Sequence, residues 1–367
     1  MNKMILANLM HRPIRAVIST FAVAVEVTLI LLIVGIMLGM LTDSSNRQVG
    51  IGADILVQPP GASLFVGVSG APVSDKVANV IAKLPHVTAV APVVAQLSTS
   101  GAVSVIDGID LKSFEAVGGP LPYLSGGPFQ GPYDMIIDDL EAGSKHAKVG
   151  DKVHVLNHEF RISGIVEHGR GARQFVPMAT LQEVVGAPGK ASIFYVKVDN
   201  PQNVDTVIQE IKSVSGMQQY GVHSIKEYLT LMSSSSVPGL TTVIRVVIGI
   251  AMIIGFIVIF QAMYAAVMER TREIGILKSL GAGKLYVVNA ILRETFVIAL
   301  AGVVLGIAVS FAAKAGLRAK FQTLPLMITN GWLLRASIIA IVGSLLGALY
   351  PALKAAQKDP IDALAYE

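Results

Sequence analysis

Four stretches of this sequence are too long and too apolar for the helices of a water-soluble fold. Residues 16–41 (AVISTFAVAVEVTLILLIVGIMLGML) carry one charged residue, Glu26, and residues 243–268 carry none after Arg245. Thr295–Ala313 is an uninterrupted apolar core, and the run from Trp332 to Leu353 holds only Arg335. About 20 apolar residues in a helix cross the hydrocarbon core of a bilayer, so each stretch reads as a transmembrane helix. Composition agrees: 53% of the 367 residues are hydrophobic and 15% charged, where soluble domains carry roughly a quarter. With no cysteine, disulfides, thiolate metal sites and thiol nucleophiles are excluded. The net charge of +4 fits basic residues beside membrane spans. No soluble basic patch with stacking aromatics accompanies it, so no nucleic-acid partner is expected.

Lys3, Arg12 and Arg15 precede the first span, like the opening of a signal peptide. The apolar run is longer than a signal peptide's, however, and no A-x-A-like cleavage site follows, so it is expected to stay attached as an anchor. The positive-inside rule places the N-terminus, the segment with Arg270, Arg272, Lys278, Lys284 and Arg293, and the C-terminus with Lys354 and Lys358 in the cytoplasm. Lys314, Arg318 and Lys320, between spans three and four, run against the rule; they mark either anionic lipid headgroups or its scatter.

Residues 42–240 then form one large extracytoplasmic domain. GADILVQP and ASIFYVKVD read as strands, NVDTVIQEIKSV as a helix, and VGDKVHVLNHEFRISGIVE as a hairpin turning at Asn157 and His158. Thr180 is expected to cap a short helix in FVPMATLQEVVG, and Ser233–Ser236 with Pro238 and Gly239 to lead back into the membrane. The fold class is a membrane α-helical protein with four transmembrane helices and a large α+β extracytoplasmic domain between helices 1 and 2, in two lobes. The domains are 1–41, 42–240 and 241–367.

The chemistry lies in a few polar residues near the spans. ERTREIGILKSLGAGK, residues 269–284, ends like a phosphate loop, but Lys278 stands where a Walker loop needs its first glycine and Leu285 where it needs a hydroxyl. As a helix it places Ile274, Leu277 and Leu280 on an apolar stripe, pairs Glu269 with Arg272 and Arg270 with Glu273 at i, i+3, and stops at Gly281. It is either an interfacial helix or a docking knob for a cytoplasmic protein. Glu26 lies mid-span, where a carboxylate is costly, and a depth count from the cytoplasmic end sets Gln261 level with it as a hydrogen-bonding partner. Gly35/Gly39, Gly302/Gly306 and Gly343/Gly347 are small-xxx-small pairs that suit close helix packing. His154, His158 and His168 do not share a face, so no metal site is expected, and no catalytic constellation stands out.

MERTREIGILKSLGAGKLYVVNAILRETF resembles the signature cytoplasmic segment of the MacB and FtsX superfamily of ABC transporter permeases. YPALKAAQKDPIDALAYE is similar to that family's ending, with Pro351, Ala355, Ala356, Pro360, Ala363, Leu364 and Glu367 in place, and GADILVQPPGAS to its entry into the outer domain. The resemblance implies a non-catalytic inner-membrane subunit that pairs with a second copy and grips a cytoplasmic ABC ATPase subunit. Glu269 to Gly281 would be the coupling helix, with Arg270, Arg272, Glu273 and Lys278 as polar contacts and Ile274 and Leu277 as the apolar seat; Gly275 and Leu280 lie within it. No fused ATPase is present in these residues, so this chain binds no cofactor, and ATP and Mg belong to the partner ATPase. Membrane lipids are further partners, and a periplasmic adaptor protein is compatible with the arrangement. The implied function is export, or extraction from the outer leaflet, of a hydrophobic or amphipathic compound. The alternatives are lipoprotein or lipid release, as in the Lol permeases, and FtsX-like signalling to an extracytoplasmic hydrolase.

Overall fold

The computed structural model describes residues 13–62, 71–98, 104–232 and 240–358. Lys3, Arg12, Ser233–Ser236, Pro238, Gly239, Pro360, Ala363, Leu364 and Glu367 lie outside the described residues. The chain forms two compact units, one of residues 1–39, 239–319 and 326–367, the other of residues 40–238 with 320–325.

The first helix, α1 (Pro13–Gly50), has 38 residues. At 1.5 Å per residue it is about 57 Å long, nearly twice the hydrocarbon thickness. Its apolar part ends near Leu41. The polar turns after it stay helical because the second unit supplies their partners: Arg47 Nε donates to Asp43 Oδ2 (3.0 Å), Arg47 Nη1 to Gly171 O (3.0 Å), and Tyr195 OH to Gln48 Oε1 (2.9 Å).

In the second unit the chain runs β1 (Ile55–Gln58), β2 (Val73–Ser74), α2 (Val77–Ile81), β3 (Val87–Ser98), β4 (Ser104–Ile109), α3 (Leu111–Gly118), β5 (Tyr123–Gly126), β6 (Asp134–Asp138), α4 (Asp139–Lys145), β7 (Lys152–Val155), β8 (His158–Val166), β9 (Gln174–Pro177), α5 (Met178–Val184), β10 (Lys190–Ala191), β11 (Ile193–Val198), α6 (Val204–Ser213), β12 (Gly221–Ser224) and α7 (Ile225–Leu231). Ten strands join in the order β12-β1-β11-β3-β4-β9-β6-β8-β5, with β7 on β8, while β2 and β10 pair separately. The pairs β4/β9 and β6/β8 are parallel. The two lobes expected from the sequence are therefore two halves of one sheet. The twelve-residue β3 joins them: residues 87–93 pair with β11, and 93–98 with β4.

Local chemistry explains most of the turns. The β7–β8 hairpin closes with Val155 opposite His158, and Leu156 (φ 50) and Asn157 (φ 63) take the two left-handed positions that a tight hairpin demands. Side chains of Asp110, Asp138 and Ser224 accept backbone N–H bonds at the starts of α3, α4 and α7. The cap expected from Thr180 is corrected: α5 starts after Pro177 without a side-chain cap, and the buried Thr180 hydroxyl donates to Pro132 O at 2.6 Å.

Among the described residues four helices are long and apolar enough to cross a membrane: α1, whose apolar part belongs to the first unit, α8 (Leu240–Glu269), α10 (Lys284–Lys320) and α11 (Asn330–Gln357), with α9 (Thr271–Ser279) between α8 and α10. Of the small-xxx-small glycines, Gly302, Gly306 and Gly347 make close helix contacts, whereas Gly343 makes only ordinary ones and Gly35 meets Met327 ahead of α11. A side chain at Gly302 would begin 2.6 Å from Val23 Cβ, one at Gly306 2.7 Å from Ala24 O, and one at Gly347 2.8 Å from Phe256 O. Thr28 Oγ1 also donates to Gly306 O at 3.1 Å.

Asp107, on β4, is a buried carboxyl of the sheet. Its Oδ1 has no partner among the described residues, and its Oδ2 accepts from Ala172 N at 3.2 Å. Burial pushes its pKa from 3.8 to about 7, against the weaker pull of that N–H and of Arg47. Because the folded value is raised, the folded state binds the extra proton, and the resulting stability is full below pH about 4 and lost as the pH rises through 7. Asp107→Asn removes this loss. Relative to wild type it should gain on the order of 2 kcal/mol between pH 5 and pH 8, read by denaturant unfolding of the purified chain; parallel pH profiles would show that the carboxyl is already ionised in the fold.

Candidate functional site

Helix α9 starts where α8 breaks. Arg270 (φ −103, ψ 17) leaves helical geometry, and the buried Thr271 hydroxyl donates back to Val267 O (3.1 Å) and Met268 O (2.9 Å), tying the corner. At the far end Gly281 takes φ +98, and Ala282 N donates to Leu277 O at 3.0 Å. A residue without Cβ is favoured there, which is the stop the sequence suggests.

The charges divide into two sets. Arg270 Nη1 lies 3.0 Å from Glu294 Oε2 on α10, and both side chains are largely buried. The ion pair seen for Arg270 is thus with Glu294 instead of the expected Glu273. Lys278 Nζ donates to Ala356 O (3.0 Å) and to Lys358 O, at the end of α11. Arg272 and Glu273 are exposed. Glu269, at the last position of α8, is exposed as well.

The apolar seat also differs from expectation. Ile274 packs against the core of the first unit, Gly275 is buried, and Leu277 is half-buried. Ile276 and Leu280 point outward, 43% and 80% exposed, and so does Leu285 at the start of α10. Ile274 turns inward onto the apolar cluster that holds Met263, Val287 and Ile291 of α8 and α10. Beneath α9, these helices enclose a cleft of about 330 Å³ whose lining includes Ile274, Leu277, Tyr286 and the Arg270–Glu294 pair.

Glu26 and Gln261 are not brought together. Glu26 is 4% exposed, and neither carboxylate oxygen has a hydrogen-bond partner among the described residues. The carboxylate lies against Gly255, where any Cβ would overlap it, and its Oε1 is 3.9 Å from a Cβ position at Gly343. Gln261 is exposed. It lies six residues beyond Gly255, about 9 Å along α8 and on another face; the depth count was short by that distance. Of the histidines, His158 Nδ1 is 2.9 Å from Leu156 O and His168 Nδ1 2.9 Å from Asp139 Oδ1, and no three metal-ligating side chains cluster among the described residues.

Glu294 and the α11 carbonyls are the partners that sequence reasoning missed. The available signal was an acid at the edge of an apolar span, Glu294 directly before Thr295–Ala313.

Four membrane-crossing helices, a large α+β insert between the first two and a short polar helix between the second and third define a multi-span membrane protein of the permease class. A model of the MacB-like periplasmic core domain matches residues 16–214, more than half of the chain, and a model of the FtsX-like permease C-terminal region matches residues 245–360. The chain belongs to the MacB/FtsX family of ABC transporter permeases. It is 25% identical over 241 residues to the uncharacterized ABC transporter permease YknZ of Bacillus subtilis, covering 62% of this chain and 59% of that one. It is 26% identical over 391 residues to the macrolide export ATP-binding/permease protein MacB of Rhodospirillum rubrum, covering 96% and 58%. It thus spans less than two thirds of the length of either relative. Among solved structures, the extracellular domain of YknZ from Gram-positive bacteria aligns at 16% identity and a TM-score of 0.37, covering 47% of this chain and 98% of that one.

The Arg270–Glu294 pair should behave as a buried ion pair, in which removing one partner leaves the other charge uncompensated. Arg270→Ala and Glu294→Ala should each lower stability by about 3 kcal/mol, and the double variant by less than the sum, with a coupling of about 1–3 kcal/mol. Unfolding of the detergent-solubilised chain measures this; additive losses would mean that the two side chains act separately.

Proposed function

We propose that this chain is the non-catalytic permease subunit of an inner-membrane ABC transporter. It couples ATP hydrolysis, on a cytoplasmic ATPase subunit outside these 367 residues, to motion of the domain formed by residues 42–240 on the other side of the membrane. The N- and C-termini are cytoplasmic, two copies of the permease form the membrane part, and ATP and Mg are held by the ATPase. The cargo is a hydrophobic or amphipathic compound, exported or drawn from the outer leaflet, and a periplasmic adaptor protein would extend its path. Relatives named as macrolide export proteins support a cargo of this kind.

The observation that carries this reading is the division of labour on α9. Arg270 and Lys278 clamp the helix to α10 and α11, while Arg272, Glu273, Ile276 and Leu280 remain turned outward. An interfacial helix lying in lipid gains nothing from being braced on two neighbours. A helix that receives a push must pass it on, and bracing does that.

The test is co-expression with a cognate ABC ATPase subunit. Glu273→Ala with Leu280→Ala should abolish co-purification and lower ATPase activity to that of the free ATPase, while the expression level of the permease stays unchanged. Intact assembly and activity in that double variant would rule out α9 as the docking element.

A further inference from the structure

Glu26 takes no part in the contacts of α9, and its surroundings pose a separate chemical problem. It is the one charged residue between Arg15 and Asp43 on α1, and it is turned inward at 4% exposure with both oxygens unpartnered among the described residues. Gly255 of α8 leaves the space that the carboxylate fills, and Gly343 of α11 lies beside it. The residue next to Gly343, Ser344, also buries its hydroxyl without a partner. Among the described residues of the packed helices, no fixed cation lies near this place. On α8 the charged residues are Arg245 and Glu269, ten or more positions from Gly255, and on α11 they are Arg335 and Lys354, eight or more from Gly343. On α10, which meets α1 through Gly302 and Gly306, the nearest are Glu294 and Lys314, eight positions away. Eight positions of helix are about 12 Å.

A buried carboxylate with neither a hydrogen-bond donor nor a counter-charge is not a stable arrangement in an apolar medium. The side chain is complete only with a positive charge that none of the described residues provides. We propose that Glu26 is a binding site for a single positive charge within the transmembrane unit: a proton while the helices are packed, and a lipophilic monovalent cation of the quaternary ammonium or phosphonium kind when cargo is present. In the exchange the cation takes the place of the proton, which leaves to water, and the site remains neutral. The glycines suit such a ligand, because separating α1 from α8 and α11 there exposes a carboxylate flanked by surface without side chains. This assigns a charge to the cargo proposed above and rests on that reading for its place in transport, though not for binding itself.

The full chain in lipid nanodiscs, without ATPase, tests the proposal with tetraphenylphosphonium as the probe. Dicyclohexylcarbodiimide, which reacts with protonated carboxyls in apolar surroundings, should label Glu26, as located by peptide mass, and tetraphenylphosphonium should reduce that labelling at least fivefold. Radiolabelled tetraphenylphosphonium should bind wild type at least tenfold more tightly than Glu26→Gln, whose isosteric amide keeps the packing intact. Absence of label on Glu26, labelling indifferent to the cation, or equal binding by wild type and Glu26→Gln would each overturn the proposal. The protection measurement needs no variant, so a folding defect in Glu26→Gln cannot decide the outcome. Neither readout uses ATP, so failure here is distinct from failure of the co-purification test.

Discussion

The close approach of α10 to α1 is the constraint on which the rest of the transmembrane unit depends. In lipid the hydrophobic effect does not draw helices together, and association relies on packing and on hydrogen bonds between helices. Gly302 and Gly306 bring the backbone of α10 against Val23 and Ala24, leaving less than 3 Å for any side chain. Gly347 does the same for α11 against α8. These contacts place the inward face of α1 at the centre of the unit. The burial of Glu26 is therefore a result of glycine packing elsewhere, and the carboxylate has the protein interior as its only surroundings.

The charged segment between α8 and α10 shows how a short helix can belong to the fold and still be available to a partner. Its cations at Arg270 and Lys278 are spent on neighbouring helices. Lys278 meets the carbonyls at the C-terminal end of α11, where a positive charge is favoured by the helix dipole. Between them Arg272, Glu273 and Ile276 face outward. A helix of nine residues would be marginal alone in water; held at both ends, it keeps one orientation.

Long-period features were legible in the sequence, and partner choice was not. The four apolar runs announced four helices, alternation announced β1, β7 and β8, and Gly281 announced the end of α9, because each signal lies within a few residues of the structure it specifies. The continuity of the sheet was hidden because β3 pairs with β11 about a hundred residues later, and nothing local to either strand records that. The stripe of Ile274 and Leu277 could be read as apolar, but periodicity does not say whether a stripe meets its own protein or another. Arg270 had an acid three residues away and chose one on α10, since burial there removes water as a competitor. Gln261 departs from its expected place for a different reason. A depth count depends on where the membrane edge is set, and an error of six residues turns a helix to another face.

The ion pairs at the end of α1 give this helix a mechanical property within the second unit. Asp43 accepts from Arg47 on its own helix and from Arg173, which also holds Asp138 at the end of β6, while Arg47 reaches Gly171 O and Gln48 receives Tyr195. Contacts spread over nearly two turns of a cylinder resist rotation about its axis far better than a single contact could. The last turns of α1 are in effect a shaft keyed to its hub: torque applied to residues 43–48 is borne by β6, β11 and the approach to β9 together, and slippage would require several charge-assisted bonds to break at once.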